Sequence, residues 1–172
     1  MKKRTITLSA AALMLGSVGA LLGNSHASAI SGQTIQSIGA LNSGGVHRCI
    51  GVEAPYAYSI ECNTNDSTQI WFTGAEEGST GFYQLKNNAG QCLSVYGGGT
   101  SQDERIGAGT CNTSHPDQFW TFDDVTTNNY DLVNYHSSYL VTIYGGSTAS
   151  PTELVQHSDT GSPYQEWSIQ AG

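Results

Sequence analysis

The residues best suited to chemistry in this chain are tyrosines beside glycine pairs and a few nearby acids. Tyr96-Gly97-Gly98 and Tyr144-Gly145-Gly146 are two copies of one pattern. Each sets an aromatic ring next to a flexible turn, where it can stack on an apolar face of a ligand. Tyr56 and Tyr58 hold a comparable place earlier in the chain. Asp103, Glu104 and Asp117 follow the first Tyr-Gly-Gly, and carboxylates accept hydrogen bonds from pairs of hydroxyls. This is the chemistry of recognition. The chain carries no Gly-x-Ser-x-Gly, no His-Glu-x-x-His, no glycine-rich phosphate loop and no clustered His, so no catalytic residue is assigned. The pairs Glu76-Glu77 and Asp123-Asp124 are sequence neighbours, which a strand would point to opposite faces. They read as solvated turns. No metal and no cofactor is expected.

What must position these groups is a repeat. Gln69-Ile70-Trp71, Gln118-Phe119-Trp120 and Gln165-Glu166-Trp167 recur with tryptophans 49 and 47 residues apart, and these are the only three tryptophans. A fixed period of this size means one supersecondary unit copied three times. Short alternating runs, such as Gly81-Phe-Tyr-Gln-Leu-Lys and Tyr130-Asp-Leu-Val-Asn-Tyr, are separated by Gly, Asn and Ser clusters. No window keeps an apolar stripe at helical spacing. The fold expected is all-β, with about four short strands per unit, closed into a barrel with threefold pseudosymmetry.

The start of the chain reads differently. Met1-Lys2-Lys3-Arg4, an apolar run from Leu8 to Leu22, and Ala27-Ser28-Ala29 read as a secretory signal over 1–29, with cleavage expected before Ile30 and a second candidate point after Ala27. Residues 30–172 are then expected to be one domain, exported to the extracellular space. The exported part keeps three basic residues, Arg48, Lys86 and Arg105, against all 14 acids, a net charge of −11. Nucleic acid and anionic membranes are poor partners for such a surface.

The four cysteines fall two in the first repeat and two in the second. Cys62 and Cys111 each precede a motif glutamine by seven residues, so the repeat selects Cys49–Cys62 and Cys92–Cys111 from the three possible connectivities. A zinc site is disfavoured by the absence of Cys-x2-Cys. In the third repeat, counting at equal length puts Tyr139 where Cys92 stands and His157 or Ser158 where Cys111 stands. An apolar or aromatic contact is expected in place of the missing bridge.

The three Gln-x-Trp triplets, the cysteine before the first two, and Cys92-Leu93-Ser94-Val95 resemble the ricin B-type β-trefoil lectins, a carbohydrate-binding module family. The resemblance runs over Ile30 to Gly172, with Cys49-Ile50-Gly51-Val52 and Tyr139-Leu140-Val141-Thr142 as degenerate copies. It implies a β-trefoil of twelve strands, six in the barrel and six capping it. It also implies a structural role for Gln69, Trp71, Gln118, Trp120, Gln165 and Trp167. The family's sugar pocket has an Asp two residues after the first cysteine, an aromatic two before the second, and an Asn beside the motif Gln. Here the Asp position holds Gly51, Ser94, and Val141 or Thr142; the aromatic position holds Ile60, Gly109 and approximately Val155; the Asn position holds Thr68, Asp117 and Tyr164. The galactose-type set is thus replaced in every repeat. The candidate carbohydrate-binding residues are Ser94, Tyr96, Asp117, Gln118 and Tyr144, with the second repeat the best supplied. The function expected is a secreted, non-catalytic lectin for a glycan or polysaccharide. The alternative is a protein-binding trefoil, a protease inhibitor or a subunit of a secreted toxin or enzyme complex, with a secreted protein as partner.

Overall fold

Alternation of apolar and polar residues becomes twelve strands in the computed structural model, which describes residues 30–41 and 44–172. The secretory signal expected over 1–29 lies outside the described residues. The strands are β1 (Ser31–Leu41), β2 (His47–Glu53), β3 (Tyr56–Glu61), β4 (Trp71–Glu76), β5 (Tyr83–Asn87), β6 (Gln91–Val95), β7 (Ile106–Thr110), β8 (Phe119–Thr126), β9 (Asn129–Asn134), β10 (Leu140–Ile143), β11 (Thr152–His157) and β12 (Glu166–Ala171). The strand pairings among the described residues are antiparallel, as short connections between consecutive strands allow. The strands form one sheet that runs β10-β11-β3-β2-β1-β12-β9-β8-β5-β6-β7, with β4 bridging β1 and β5. Further pairings of β9 with β10 and β3 with β7 close it on itself, which leaves few free strand edges.

The core is a single cluster built around Trp71, Trp120 and Trp167, each at most 1 % exposed. Ile35, Ile50, Leu85, Leu93, Ile106, Leu132, Ile143 and Leu154 pack with them. A buried indole N–H needs an acceptor. All three find an equivalent one: Trp71 donates to the Ile50 carbonyl at 3.0 Å, Trp120 to Leu93 at 2.9 Å and Trp167 to Val141 at 3.1 Å. The period read in the sequence is therefore a period of hydrogen bonds.

Both disulfides form as the repeat requires, Cys49–Cys62 and Cys92–Cys111. They close loops of 13 and 19 residues. Replacing Cys92 and Cys111 by alanine is expected to cost about 3 kcal/mol, chiefly by freeing the unfolded chain, as read from urea denaturation of the double variant. An unchanged midpoint would contradict this.

The third repeat corrects the sequence alignment by one residue. Trp120 registers on Leu93 and Trp167 on Val141, so Leu140, not Tyr139, stands where Cys92 does. The cause is the turn. Asn87 and Asn134 both face a motif tryptophan across the ladder, but Cys92 follows five residues after the first and Leu140 six after the second. The glutamine bonds described below put Asp159, rather than His157 or Ser158, at the second cysteine position. Leu140 is buried and Asp159 exposed, so the apolar replacement expected for the bridge is found on one side only.

Glu76 ends β4 and Glu77 lies in the bend after it, whereas Asp123 and Asp124 are exposed on strand β8 rather than in a turn. Asp123 faces Asp131 across the β8–β9 ladder. The Asp131 carboxyl is pushed up from 3.8 to about 6, mostly by burial and then by Asp159, Glu166 and Asp123. Between those values the native chain holds a proton that the unfolded chain has lost, so stability falls as pH rises through the window. Asp131→Asn is expected to raise stability by about 1 kcal/mol at pH 7, after solvent screening, with the gain vanishing near pH 4. Denaturation at both pH values checks it, and an equal gain at both would contradict it.

Candidate carbohydrate-binding site

The motif glutamines build the loops on which the site rests. Each Gln side chain clips together the segment just before it. Gln118 Oε1 accepts from the Asn112 amide at 2.8 Å while its Nε2 donates to the Thr110 carbonyl at 3.0 Å. Gln69 does the same with Asn63 (2.9 Å) and Glu61 (3.1 Å). Gln165 does so with Thr160 (2.8 Å) and Ser158 (2.8 Å). All three are at most 5 % exposed. An unpaired amide buried at this depth would be costly, so the residue type is tightly constrained.

In the second repeat this frame encloses a cavity of about 430 Å³. It is lined by Pro55, by Ser94 to Gly98, by Ala108 and Gly109, and by His115, Asp117 and Gln118. That volume suits a small ligand. Four of the five candidate residues, Ser94, Tyr96, Asp117 and Gln118, meet here. Tyr96 is 50 % exposed and leans its ring on Tyr56 at 4.8 Å between centroids. Gly97 and Gly98 have φ of 80° and 70°, a left-handed pair that a side chain would strain. The pair turns the chain so that Gly98 packs near Asp117, where an added Cβ would lie 3.5 Å from Oδ1. Opposite, a Cβ on Gly109 would meet nothing within 4 Å. The wall that an aromatic residue would supply is open space.

Asp117 is the buried carboxylate of the cavity. Its side chain is 8 % exposed, with His115 Nδ1 at 3.7 Å from Oδ1. Burial pushes its carboxyl above the ordinary aspartate value, against the pull of its own backbone N–H and the His115 and His136 rings. A desolvated carboxylate at a cavity wall is a strong acceptor for incoming donors. Gln118 spends its carbonyl on Asn112 and on Gln84 Nε2 (3.0 Å), and one of its two amide hydrogens on Thr110. Among the described residues the other hydrogen has no partner.

Tyr144 does not join the other four. It is 55 % exposed and lines the equivalent cavity of the third repeat, about 230 Å³, with Thr142, Gly145, Gly146, His157 and Tyr164. The ladder pairs Cys49 with Ile60, Cys92 with Gly109 and Leu140 with His157. The third aromatic position is therefore His157 and not Val155, and the third Asp position is Thr142. His157 Nδ1 lies 2.9 Å from the Ser158 carbonyl and Nε2 lies 2.7 Å from Gln102 Nε2. Both contacts are met if Nδ1 carries the hydrogen and Gln102 donates.

Asp103 and Glu104 also move from where the sequence groups them. Asp103 lines the third-repeat cavity, 3.9 Å from His157 Nε2. Glu104 is tied to Gln156 Nε2 at 3.0 Å and to the Ser101 amide at 3.2 Å. Loops reach across the repeats: Pro55 from the first lines the second cavity, and Asp103 from the second lines the third. Gln156, fully buried, donates to the carbonyls of Gly99 (3.3 Å) and Ser101 (2.7 Å), fixing the connecting strap. Sequence reasoning missed Pro55, His115 and Gln156. Only His115, two residues before Asp117, left a readable signal.

In the first repeat the corresponding space is filled by described residues. Ile60 fills the space beside Gly51, where a Cβ would collide with its side chain. Thr68 is bonded to Asp66 at 2.8 Å. Tyr56 carries the Arg105 guanidinium 3.6 Å above its ring, and Tyr58 accepts from Arg105 at 3.0 Å. Neither ring presents a free face of the kind Tyr96 does. Among the described residues no group of three or more His, Cys, Asp or Glu is arranged to hold a metal ion, and no helix is long and apolar enough to cross a membrane.

Solved structures share this architecture at low identity. The designed threefold-symmetric protein ThreeFoil superposes with a TM-score of 0.69 at 20 % identity, covering 81 % of this chain and 98 % of its own. The exo-beta-1,3-galactanase 1,3Gal43A from Clostridium thermocellum gives 0.68 at 17 %, covering 83 % of this chain, which spans only 31 % of that enzyme. The C-half of an earthworm R-type lectin, solved in complex with GalNAc, gives 0.58 at 13 %, covering 81 % and 98 %. A search of curated protein sequences gives no match. The family model for the ricin-type beta-trefoil lectin domain-like family matches residues 67–157 and 116–172, together more than half of the sequence. This chain belongs to the ricin-type beta-trefoil lectin domain-like family.

Proposed function

We propose that residues 30–172 form one β-trefoil with threefold pseudosymmetry that is exported and binds a glycan or polysaccharide without altering it. The recurring Trp and Gln hydrogen bonds support the threefold reading. The leader at 1–29 and the two disulfides support export. Family membership supports carbohydrate as the ligand class, and a relative of the same fold was solved with GalNAc.

One observation carries the site: the second-repeat cavity unites an exposed tyrosine face, a buried carboxylate, a serine and an amide. Tyr96 stacks on the C–H face of a sugar, while Asp117, Gln118 and Ser94 take its hydroxyls. In the first repeat Ile60 fills the space beside Gly51, and the smaller third cavity around Tyr144 is secondary. A glycan and polysaccharide screen on the oxidised protein, beside a Tyr96→Ala/Asp117→Ala variant, tests this. Binding by the parent that the variant loses is expected. Binding that survives would move the site elsewhere. No binding by folded protein would turn attention to a protein partner.

A further inference from the structure

The charges around the cavity narrow the ligand. We infer that the second-repeat cavity selects a sugar bearing a free amine, taken up as its ammonium, over neutral and acidic sugars. This rests on the carbohydrate reading above and names the sugar class for that site.

Four observations lead there. First, neither cavity is lined by Lys or Arg, while each holds one carboxylate, Asp117 or Asp103. A uronate or sulfated sugar would meet no Lys or Arg in either, only an imidazole already set beside a carboxylate, His115 by Asp117 or His157 by Asp103. Second, the Asp117 side chain is 8 % exposed, and its nearest cationic candidate, His115 at 3.7 Å, stands beyond hydrogen-bond reach. A buried carboxylate gains more from a charged donor than from a hydroxyl. Third, Tyr96 offers a half-exposed ring on the same cavity. An ammonium set between ring and carboxylate meets a π face and an opposite charge together. The neighbouring ring already works this way: Arg105 lies 3.6 Å over Tyr56, its charge answered by Glu153 at 3.1 Å. Fourth, the space beside Gly109 is open, so a substituted ring fits without a clash. The surrounding field agrees. Three basic residues stand against 14 acids after residue 29, and Arg48 and Arg105 are already paired with Glu61 and Glu153. Such a field draws cations inward.

Acetylating the sugar nitrogen removes its charge but adds an acetyl group, so the Asp117→Asn variant is needed to separate charge from bulk. The test is calorimetric titration with a β-1,4-linked glucosamine tetramer, its N-acetylated form and a galacturonate tetramer, at about pH 6, where a sugar amine is protonated. The amine form is expected to bind about tenfold more tightly than the acetylated form, with the uronate weakest. Asp117→Asn should erase most of that gap. Tyr96→Ala, an exposed change that the fold tolerates, should weaken the amine form more than the uronate. Glu76→Gln, on an exposed strand end, should keep the gap, separating the site from the general field. Equal or tighter binding of the acetylated form overturns the inference, as does a preference that Asp117→Asn retains. Binding of neutral sugars that depends on Asp117, with no gain from the amine, overturns it while leaving the carbohydrate reading standing. Folded protein that binds no sugar overturns both.

Discussion

Trp120→Ala is expected to lower the stability of the chain by about 3–5 kcal/mol, the largest effect of any single change considered. The indole is 1 % exposed, in the centre of the core cluster. Removing it leaves a cavity between β8 and its neighbours. It also strands the Leu93 carbonyl, which now accepts the indole N–H at 2.9 Å. Trp120→Phe separates the two losses. It keeps most of the apolar volume but not the hydrogen bond, and should cost about 1–3 kcal/mol. Urea denaturation of both variants provides the check, and a smaller cost for alanine than for phenylalanine would contradict the account. Trp120 also supports the site, because Leu93 adjoins Ser94 and Gln118 lies two residues before the indole.

Tyr96→Ala should weaken glycan binding about 30-fold, or about 2 kcal/mol, with little change in stability. The ring is half exposed, so the barrel loses little when it goes, whereas the ligand loses its stacking face. Asp117→Asn keeps the shape of the side chain but removes the charge. It should cost 10- to 100-fold in affinity, in line with about 1.5–3 kcal/mol for a hydrogen bond to an ionised group. Titration of each variant with a glycan that binds the parent gives the numbers. Tyr144→Ala, in the separate third-repeat cavity, should leave this affinity unchanged. A Tyr144→Ala variant that loses binding as fully as Tyr96→Ala would exchange the two sites.

The framework was legible because it is written in residues whose chemistry permits few substitutes. A buried Trp with one N–H and a buried Gln with a two-sided amide leave the same mark each time they recur. Cysteine spacing inherits that register, which is why both bridges could be paired from the repeat. The third repeat was misread by one residue because the turn after Asn134 is longer by one than the turn after Asn87, and turn length leaves no periodic trace. The Tyr-Gly-Gly turns were visible because two left-handed residues in a row call for glycine. Which acid faces which cavity was not. Asp103 crosses to the third repeat and Pro55 to the second through contacts between strands distant in sequence. Gln156 carried no signal either, since its partners Gly99 and Ser101 lie more than 50 residues away.

The central claim is that the second-repeat cavity is where a glycan binds, and amide chemical-shift mapping tests it most directly. Isotope-labelled protein of residues 30–172, oxidised, would be titrated with a glycan chosen from the screen. The account predicts that the largest shifts fall on Ser94 to Gly98, Ala108, Gly109 and His115 to Gln118, with the first repeat silent. Shifts centred on Gly51, Ile60 and Thr68, or spread over the surface with none at Ser94 to Gly98, would contradict it.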